Sequence, residues 1–474
     1  MECLHQAIQF FESHPNYQNQ TENMKITLET GFSVLETEYR SIVQKNTVQA
    51  DPIVVIESLD DQYELIGSRA KNIRTARDLT LMTGLGVWLL DRERTRFLTH
   101  YAKIRYGCSK DVLPSKMFFL VNNFSVLKKA TGRSEKFDRR GGDADGGECE
   151  GASLMAGCLL ALLEVEEGVM VKTIPDTSRR AQVFRELVAN PLNFVIRHIQ
   201  RVVQDSDKGV LPLLPLLRFL SAHQARLQNL STNSMTDVPF EALMRLLRVK
   251  SSSYITEFVE KLKSDNSKFV PVDGNVHPIT VNTVNFLANL TAHRHTVTQQ
   301  LLLMTAPQGT NSALLLPKLF ARILSALGVT LKKKSENYDD SALSSLFLLN
   351  NYNYIAKALE DDEDGLLPVI NEQNTQILSF YHSEIEQYIN SYMRRYVRAF
   401  TREFDMAITQ QRNYCIADSK LRTDISDHVK RALIPSYTSL VEHMRNYEQH
   451  SYRLLKYSPE SLEATIDRLF DASG

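Results

Sequence analysis

Apolar residues in this chain recur at intervals of three and four, and that period constrains the fold more than any motif does. Leu28, Phe32, Leu35, Tyr39 and Ile42 fall on one stripe of a helix, leaving Glu29, Glu36, Glu38 and Arg40 free to face solvent. Ile385, Ile389, Tyr392, Tyr396, Phe400 and Phe404 form a second stripe, expected to face a core. On the other side of that helix, Arg394, Arg395, Arg398 and Arg402 share an arc of roughly 100°. Sustained alternation of period two, bounded by turn residues, is scarce. The expectation is an all-α protein, and the alternation of helices with short polar turns suits stacked helical hairpins of the solenoid kind.

Punctuation divides the chain. The stretch 128–151 holds six glycines and almost no aliphatic side chain, which reads as a flexible connection. Its first half is basic and its second acidic, so it is either a solvated loop or a contact for a partner or lipid. Around it we expect an N-terminal bundle at 1–127 and further bundles at 152–270, 271–375 and 376–474. Near the end, Ser458 followed by Pro459 reads as a helix start, with a hydroxyl cap and a proline where its missing N–H costs little. Leu462, Ile466, Leu469 and Phe470 then supply the packing face of a last helix.

The longest wholly apolar run, Leu154 to Leu163, is about half of the roughly 20 residues that a spanning helix needs. No membrane span is expected. Five cysteines, Cys3, Cys108, Cys149, Cys158 and Cys415, show no CxxC pair or zinc spacing and read as reduced thiols. The sequons at Asn19, Asn123, Asn229 and Asn289 matter only on a secretory route, and the N-terminus lacks a signal-like basic start and apolar run.

No catalytic pattern emerges. There is no GxxxxGK[ST] loop, and Gly84 and Gly86 lack the third glycine and the βα context of a dinucleotide site. His293 and His295 are two apart, on different sides of a helix, and do not make the i, i+4 pair of a zinc motif. The run Asp361 to Asp364 lacks the alternating ligands and distal Glu of a calcium loop. No GxSxG elbow is present. The reading is a protein without catalytic residues, metal or cofactor.

Charge is balanced overall, with 55 Lys and Arg against 56 Asp and Glu, but it is not evenly spread. Between Glu360 and Asn390 there are eight acidic and no basic residues; from Ser391 to Tyr457 there are twelve basic and seven acidic. A basic helical end can sit on an anionic leaflet, where each nearby Lys or Arg contributes on the order of 1 kcal/mol. The plainer alternative is a solvated helix face paired with local acids. Nucleic acid is not expected, since the neutral chain carries no RRM, KH or helix-turn-helix signature.

Particular segments carry a resemblance. Asp340-Ser341-Ala342-Leu343-Ser344-Ser345-Leu346-Phe347-Leu348-Leu349-Asn350-Asn351-Tyr352-Asn353-Tyr354-Ile355 resembles the most recognisable internal segment of the seventy-kilodalton exocyst subunits, also called exocyst complex component seven. Lys456-Tyr457 with Ile466-Asp467-Arg468-Leu469-Phe470-Asp471 is similar to the final helix of the animal members. Leu35 to Ser41 and Val281 to Leu287 add shorter matches. The resemblance implies an elongated rod of stacked helical bundles and the role of a vesicle-tethering subunit, cytoplasmic and peripheral on the inner face of the plasma membrane at sites of secretion. Its implied partners are other exocyst subunits, a Rho-family GTPase and an anionic phosphoinositide membrane.

Carried over by position, Arg453 and Lys456 match the basic pair of the family's lipid-binding segment. Lys430 and Arg431 lie near its second basic segment, where this chain departs by having Ile434-Pro435 before Ser436-Tyr437. The family's usual N-terminal coiled coil is not matched. A helical adaptor that binds proteins without touching lipid is the other reading.

Overall fold

The computed structural model describes residues 1–110, 147–207, 209–305, 311–361, 365–372, 375–412, 416–447 and 455–471. Most of the 128–151 connection, the acidic residues Asp362 to Asp364 and Arg453 lie outside them. Among the described residues the secondary structure is helical, with two isolated bridges, Thr47 to Ala76 and Leu59 to Leu65, in place of any sheet. The helices gather into two compact units, residues 1–255 and 256–474.

The first unit contains α1 (Glu2–Phe11), α2 (Gln18–Asn46), α3 (Pro52–Glu57), α4 (Thr80–Leu90), α5 (Arg96–Lys110), α6 (Gly147–Thr173), α7 (Thr177–Asp205), α8 (Leu213–Ala222) and α9 (Gln224–Asn233). It also takes the residues of α10 (Phe240–Ser264) up to Ile255. The α2 stripe is as expected: Leu28, Phe32, Tyr39 and Val43 are buried, with Leu35 and Ile42 packed alongside. Helix α6 begins at Gly147, inside the stretch read from sequence as a connection. Its first residues are claimed by packing, since Cys149 and Gly151 are already buried.

Every residue of α6 from Gly151 to Leu163 is buried, so this apolar run is the centre of a core. Helices α3, α7 and α8 pack against it, and α4 packs near the C-terminal end of α6, where Met82 and Leu89 cluster with Met170. Close approach requires small residues. A Cβ added at Gly157 would stand 2.5 Å from the Tyr63 carbonyl oxygen and 2.8 Å from Tyr63 Cβ. Tyr63 is itself held at a φ of 64°, in a turn whose Asp60 carboxylate accepts from the N–H groups of Gln62 and Glu64. Gly86 has a similar explanation, because a Cβ there would meet Tyr39 at 3.2 Å and the Thr173 carbonyl at 3.3 Å.

The second unit contains α11 (Pro278–Ala292), α12 (Arg294–Thr305), α13 (Leu315–Ser335), α14 (Ser341–Glu360), α15 (Leu366–Asn371), α16 (Ile377–Gln411), α17 (Ser419–Tyr447) and α18 (Pro459–Leu469). The stretch Ser312–Ser335 is long and apolar enough to span a membrane by length and composition, with an 18-residue window of mean hydropathy 1.7. No unbroken apolar run marks it in the sequence, because Lys318 and Arg322 interrupt the pattern. In the fold it is a core helix: Leu316, Phe320, Ile323, Leu324, Leu327 and Leu331 are buried, while Lys318 and Arg322 are exposed.

Helix α14 is formed by the segment that carries the family resemblance. Asp340 caps it, accepting from the Ala342 N–H at 2.9 Å. Asn351, with no exposed surface, accepts from the His277 N–H at 2.9 Å and the Thr280 hydroxyl at 2.6 Å, and donates to the Phe347 carbonyl at 2.7 Å. Asn350 donates to the Gly274 carbonyl at 2.9 Å, and Lys334 donates to the Ser267 carbonyl at 2.9 Å. Together these side chains fasten the segment between α10 and α11. His277 caps α11, its Nδ1 accepting from the Ile279 N–H at 3.0 Å while Nε2 donates to the Phe269 carbonyl at 3.2 Å.

The stripe expected on α16 is corrected in one place. Tyr396 is 54% exposed, and the buried residues are Tyr381, Asn390, Val397 and Phe404. The first part of this 35-residue helix lies against α14 and its far end joins the α17 and α18 cluster. Its inward side is therefore fixed by two successive neighbours. A seven-residue spacing, 390, 397 and 404, tracks that side better than the aromatic stripe does.

Two measurements test these constraints. Gly157→Ala should destabilise the first unit by about 1–3 kcal/mol in chemical denaturation, because the added methyl meets backbone that has no room to move. Gly168→Ala, in the same helix with nothing within 4 Å, should be neutral or stabilising by up to about 1 kcal/mol. The second measurement concerns His277, whose pKa is depressed below 6.5, chiefly by burial, with the Lys334 cation adding to it. Folding therefore favours the neutral ring. Stability is intact above the unfolded value and falls as pH drops below it, levelling off once the folded ring has protonated. Thermal melts between pH 7 and pH 5 should show this loss, and His277→Asn, which keeps a capping acceptor, should reduce it.

Candidate functional site

Burial fixes the C-terminal cluster before any charge does. Phe404 from α16, Tyr437 and Val441 from α17, and Leu462 and Ile466 from α18 form its core. Phe400 stacks on Tyr437 with centroids 5.0 Å apart, and Phe404 meets Tyr457 edge-on at 5.4 Å. Helix α18 starts as its sequence indicates. The Ser458 hydroxyl accepts from the Ser461 N–H at 3.1 Å, the Ser461 hydroxyl accepts from the Ser458 N–H at 2.7 Å, and Pro459 follows the cap. The Tyr437 hydroxyl donates to the Tyr457 carbonyl at 2.7 Å. The short approach to α18 is thereby held from both sides, and Lys456 lies on it.

Against this support runs a groove of about 590 Å³ lined by Arg398, Thr401, Arg402, Asp405, Met406, Thr409, Gln410 and Lys456. Arg398, Arg402, Asp405 and Thr409 follow one another at intervals of four, three and four along α16, which places them on one face. Two basic groups that are 54 residues apart in sequence, at Arg402 and Lys456, meet at this surface. Arg398 makes no ion pair among the described residues, while Arg402 donates to Glu403 at 3.1 Å.

Lys456 is engaged. Its Nζ donates to Asp405 Oδ2 at 2.6 Å, and the Tyr457 hydroxyl donates to Asp405 Oδ1 at 2.6 Å. The Lys456 hydrogen bond, followed by the one from Tyr457, holds the Asp405 carboxyl below the usual aspartate range. In return, the bond to Asp405 raises the Lys456 ammonium above the ordinary lysine value.

Not every basic residue singled out in the sequence reaches the groove. Arg395 pairs with Asp340 at the start of α14. Lys430 donates to Asp467 at 2.7 Å and lies 3.3 Å from Asp427, and Arg431, exposed, donates to the Asp427 carbonyl at 3.3 Å. Helix α17 runs through Ile434-Pro435 without ending there. The side chains of Arg394 and Arg453 are outside the described residues. Sequence reasoning missed Asp405, Met406, Thr409 and Gln410. Helical spacing puts Asp405 beside Arg402, but its contact with Lys456 spans 51 residues and leaves no local signal.

Among the described residues no group of three or more His, Cys, Asp or Glu side chains is placed to hold a metal ion. His293 ends α11, and His295 lies exposed in α12 beside Gln299 at 2.9 Å. Chemically the groove is a set of cations, Arg398, Arg402 and Lys456, around one carboxylate, Asp405.

Stacked helical bundles of this kind define an all-α, helical-bundle class of protein. The chain belongs to the Exo70 family of the exocyst complex, whose C-terminal family model matches residues 150–396 and 393–468. It is similar to exocyst complex component 7 of Homo sapiens, 27% identical over 248 residues that cover 48% of this chain and 33% of the relative. Exocyst complex component 7 of Drosophila melanogaster is 24% identical over 268 residues, covering 49% and 38%. The chain thus spans less than half the length of these relatives. Two solved structures share the fold at 12% identity. One, of the exocyst subunit Exo70p, has a TM-score of 0.58 and covers 99% of this chain and 93% of its own. The other, of Exo70p from S. cerevisiae, has a TM-score of 0.54 and covers 99% and 94%.

Proposed function

We propose that this chain is an exocyst subunit that helps tether secretory vesicles to the plasma membrane, and that its C-terminal groove binds phosphatidylinositol bisphosphate. Membership of the family supports the first part. The observation that carries the second is the meeting of Arg398, Arg402 and Lys456 on one face of the C-terminal cluster. In this reading the body of the chain engages other exocyst subunits and a Rho-family GTPase, and the chain is peripheral on the cytoplasmic face of the membrane. No catalysis is needed, since a tether works by holding two surfaces together.

A specific observation favours the alternative of a helical adaptor that does not touch lipid. Lys456, Lys430, Arg395 and Arg402 each already face a carboxylate within the chain. Exposed pairs of that sort are ordinary surface chemistry.

Co-sedimentation with vesicles that contain or lack phosphatidylinositol bisphosphate decides between them. The native chain should bind in a lipid-dependent manner that weakens from low to high salt. Arg402→Glu with Lys456→Glu should weaken binding at least tenfold, roughly the effect of two cations near an anionic surface. Lys430→Glu with Arg431→Glu, away from the groove, should change it less than about twofold. Binding by neither the native chain nor the variants would leave the adaptor.

A further inference from the structure

The groove contains its own anion. Asp405 is the one acidic side chain among its lining residues, and it is oriented rather than loosely solvated. One carboxylate oxygen takes the Lys456 ammonium at 2.6 Å and the other takes the Tyr457 hydroxyl at 2.6 Å. Tyr457 is in turn fixed through its carbonyl by Tyr437 and through its ring by Phe404. The carboxylate thus occupies one donor of the Lys456 ammonium and offsets its charge in the groove, while the half-exposed side chain keeps donors that a ligand oxygen can reach. Arg398 lies two turns back on the same helix face, without an ion pair among the described residues.

We propose that Asp405 is an internal competitor that sets which anions the groove accepts, an inference that rests on the lipid reading given above. A phosphodiester carries a single charge and offers Lys456 no more than the carboxylate it already has. Exchange therefore brings no gain, and such a lipid meets only Arg398 and Arg402. A phosphomonoester carries about 1.5 to 2 negative charges with three acceptor oxygens. A headgroup bearing two of them can span Arg398 and Arg402 and still draw Lys456 away from Asp405. The groove then discriminates by charge density, with Asp405 as the specificity-determining residue.

The test uses the full chain and vesicles of phosphatidylcholine with phosphatidylserine, with or without phosphatidylinositol bisphosphate. Asp405→Asn retains an acceptor for Tyr457 and removes the charge. It should tighten binding to the phosphatidylserine vesicles about fivefold, the effect of one released cation, and narrow the advantage of the bisphosphate lipid. In a Lys456→Ala background the same substitution should gain less than about twofold. Asp405→Glu, which keeps the charge, should behave as the native chain and guards against an Asn variant that folds poorly.

Native-like lipid discrimination in Asp405→Asn, or an equal gain with Lys456 absent, overturns the competitor role while leaving lipid binding intact. Failure of the native chain and of Asp405→Asn to bind either vesicle overturns the lipid reading, and failure of both to bind soluble inositol trisphosphate as well overturns the competitor role. Soluble inositol trisphosphate, titrated by calorimetry, separates the sources of the phosphate. Tighter binding of it by Asp405→Asn without vesicle binding keeps the competitor role, with a free inositol phosphate as the ligand.

Discussion

A helix with no solvent face must be enclosed on every side, and α6 imposes that condition on the first unit. From Gly151 to Leu163 nothing along it is exposed, so the neighbouring elements are arranged to cover it. Helices α3, α7 and α8 do so, and at Gly157 the gap is too narrow for even a methyl group. The turn at Asp60 to Glu64 is a consequence. It brings the Tyr63 backbone onto Gly157, and it holds Tyr63 in the left-handed region, which a residue with a Cβ adopts only when its surroundings require it.

Enclosure on this scale takes polar groups out of water as well, and each unit answers with a buried network. In the first, Arg105 has no exposed side-chain surface. Its Nε donates to Glu166 Oε1 at 2.9 Å, its Nη1 to the Thr75 carbonyl at 2.6 Å and its Nη2 to the Thr75 hydroxyl at 3.0 Å. The Tyr101 hydroxyl donates to Glu166 at 3.3 Å, and burial pushes that phenol well above its usual range. A buried ion pair of this kind adds little net stability over an apolar filling, because both charges lose their hydration. Its contribution is positional. It ties α5 and α6 to the irregular segment around Thr75, which has no helix of its own to hold it. Asn351 does the same in the second unit for the segment leading into His277. The run Asp340 to Ile355 thus has an architectural role, through the Asp340 cap and the hydrogen bonds of Asn350 and Asn351.

Periodicity made the helices legible, because it is a local property. The α2 stripe and the Ser458 cap of α18 could be read directly, as could the all-α class. Three features could not. The start of α6 at Gly147 was hidden by glycine and charge, which usually mark loops and here fit a crowded core. The core helix Leu315–Ser335 was hidden because Lys318 and Arg322, both exposed, break its apolar run. The inward side of α16 was misplaced at Tyr396, since the side a long helix buries depends on which neighbours it meets in turn. The candidate site followed the same rule. Its basic residues were visible in the sequence, but the meeting of the α16 face with Lys456 is a product of tertiary packing, and Asp405 gained significance only through it.

Counting charges along the chain gives the region from Ser391 to Tyr457 a surplus of five cations, and the fold changes what that surplus means. Lys430 faces Asp467, Arg395 faces Asp340 and Lys456 faces Asp405, so several partners come from outside the local sequence or from another helix. A cation already placed against a carboxylate still adds to the long-range field that draws an anionic surface closer. At contact it must exchange one partner for another, and only the difference between the two counts. Attraction at a distance and recognition at contact are therefore set by different residues. The first depends on net charge and is screened by salt. The second depends on which carboxylate a ligand must outbid, and in the proposed lipid site that carboxylate is Asp405.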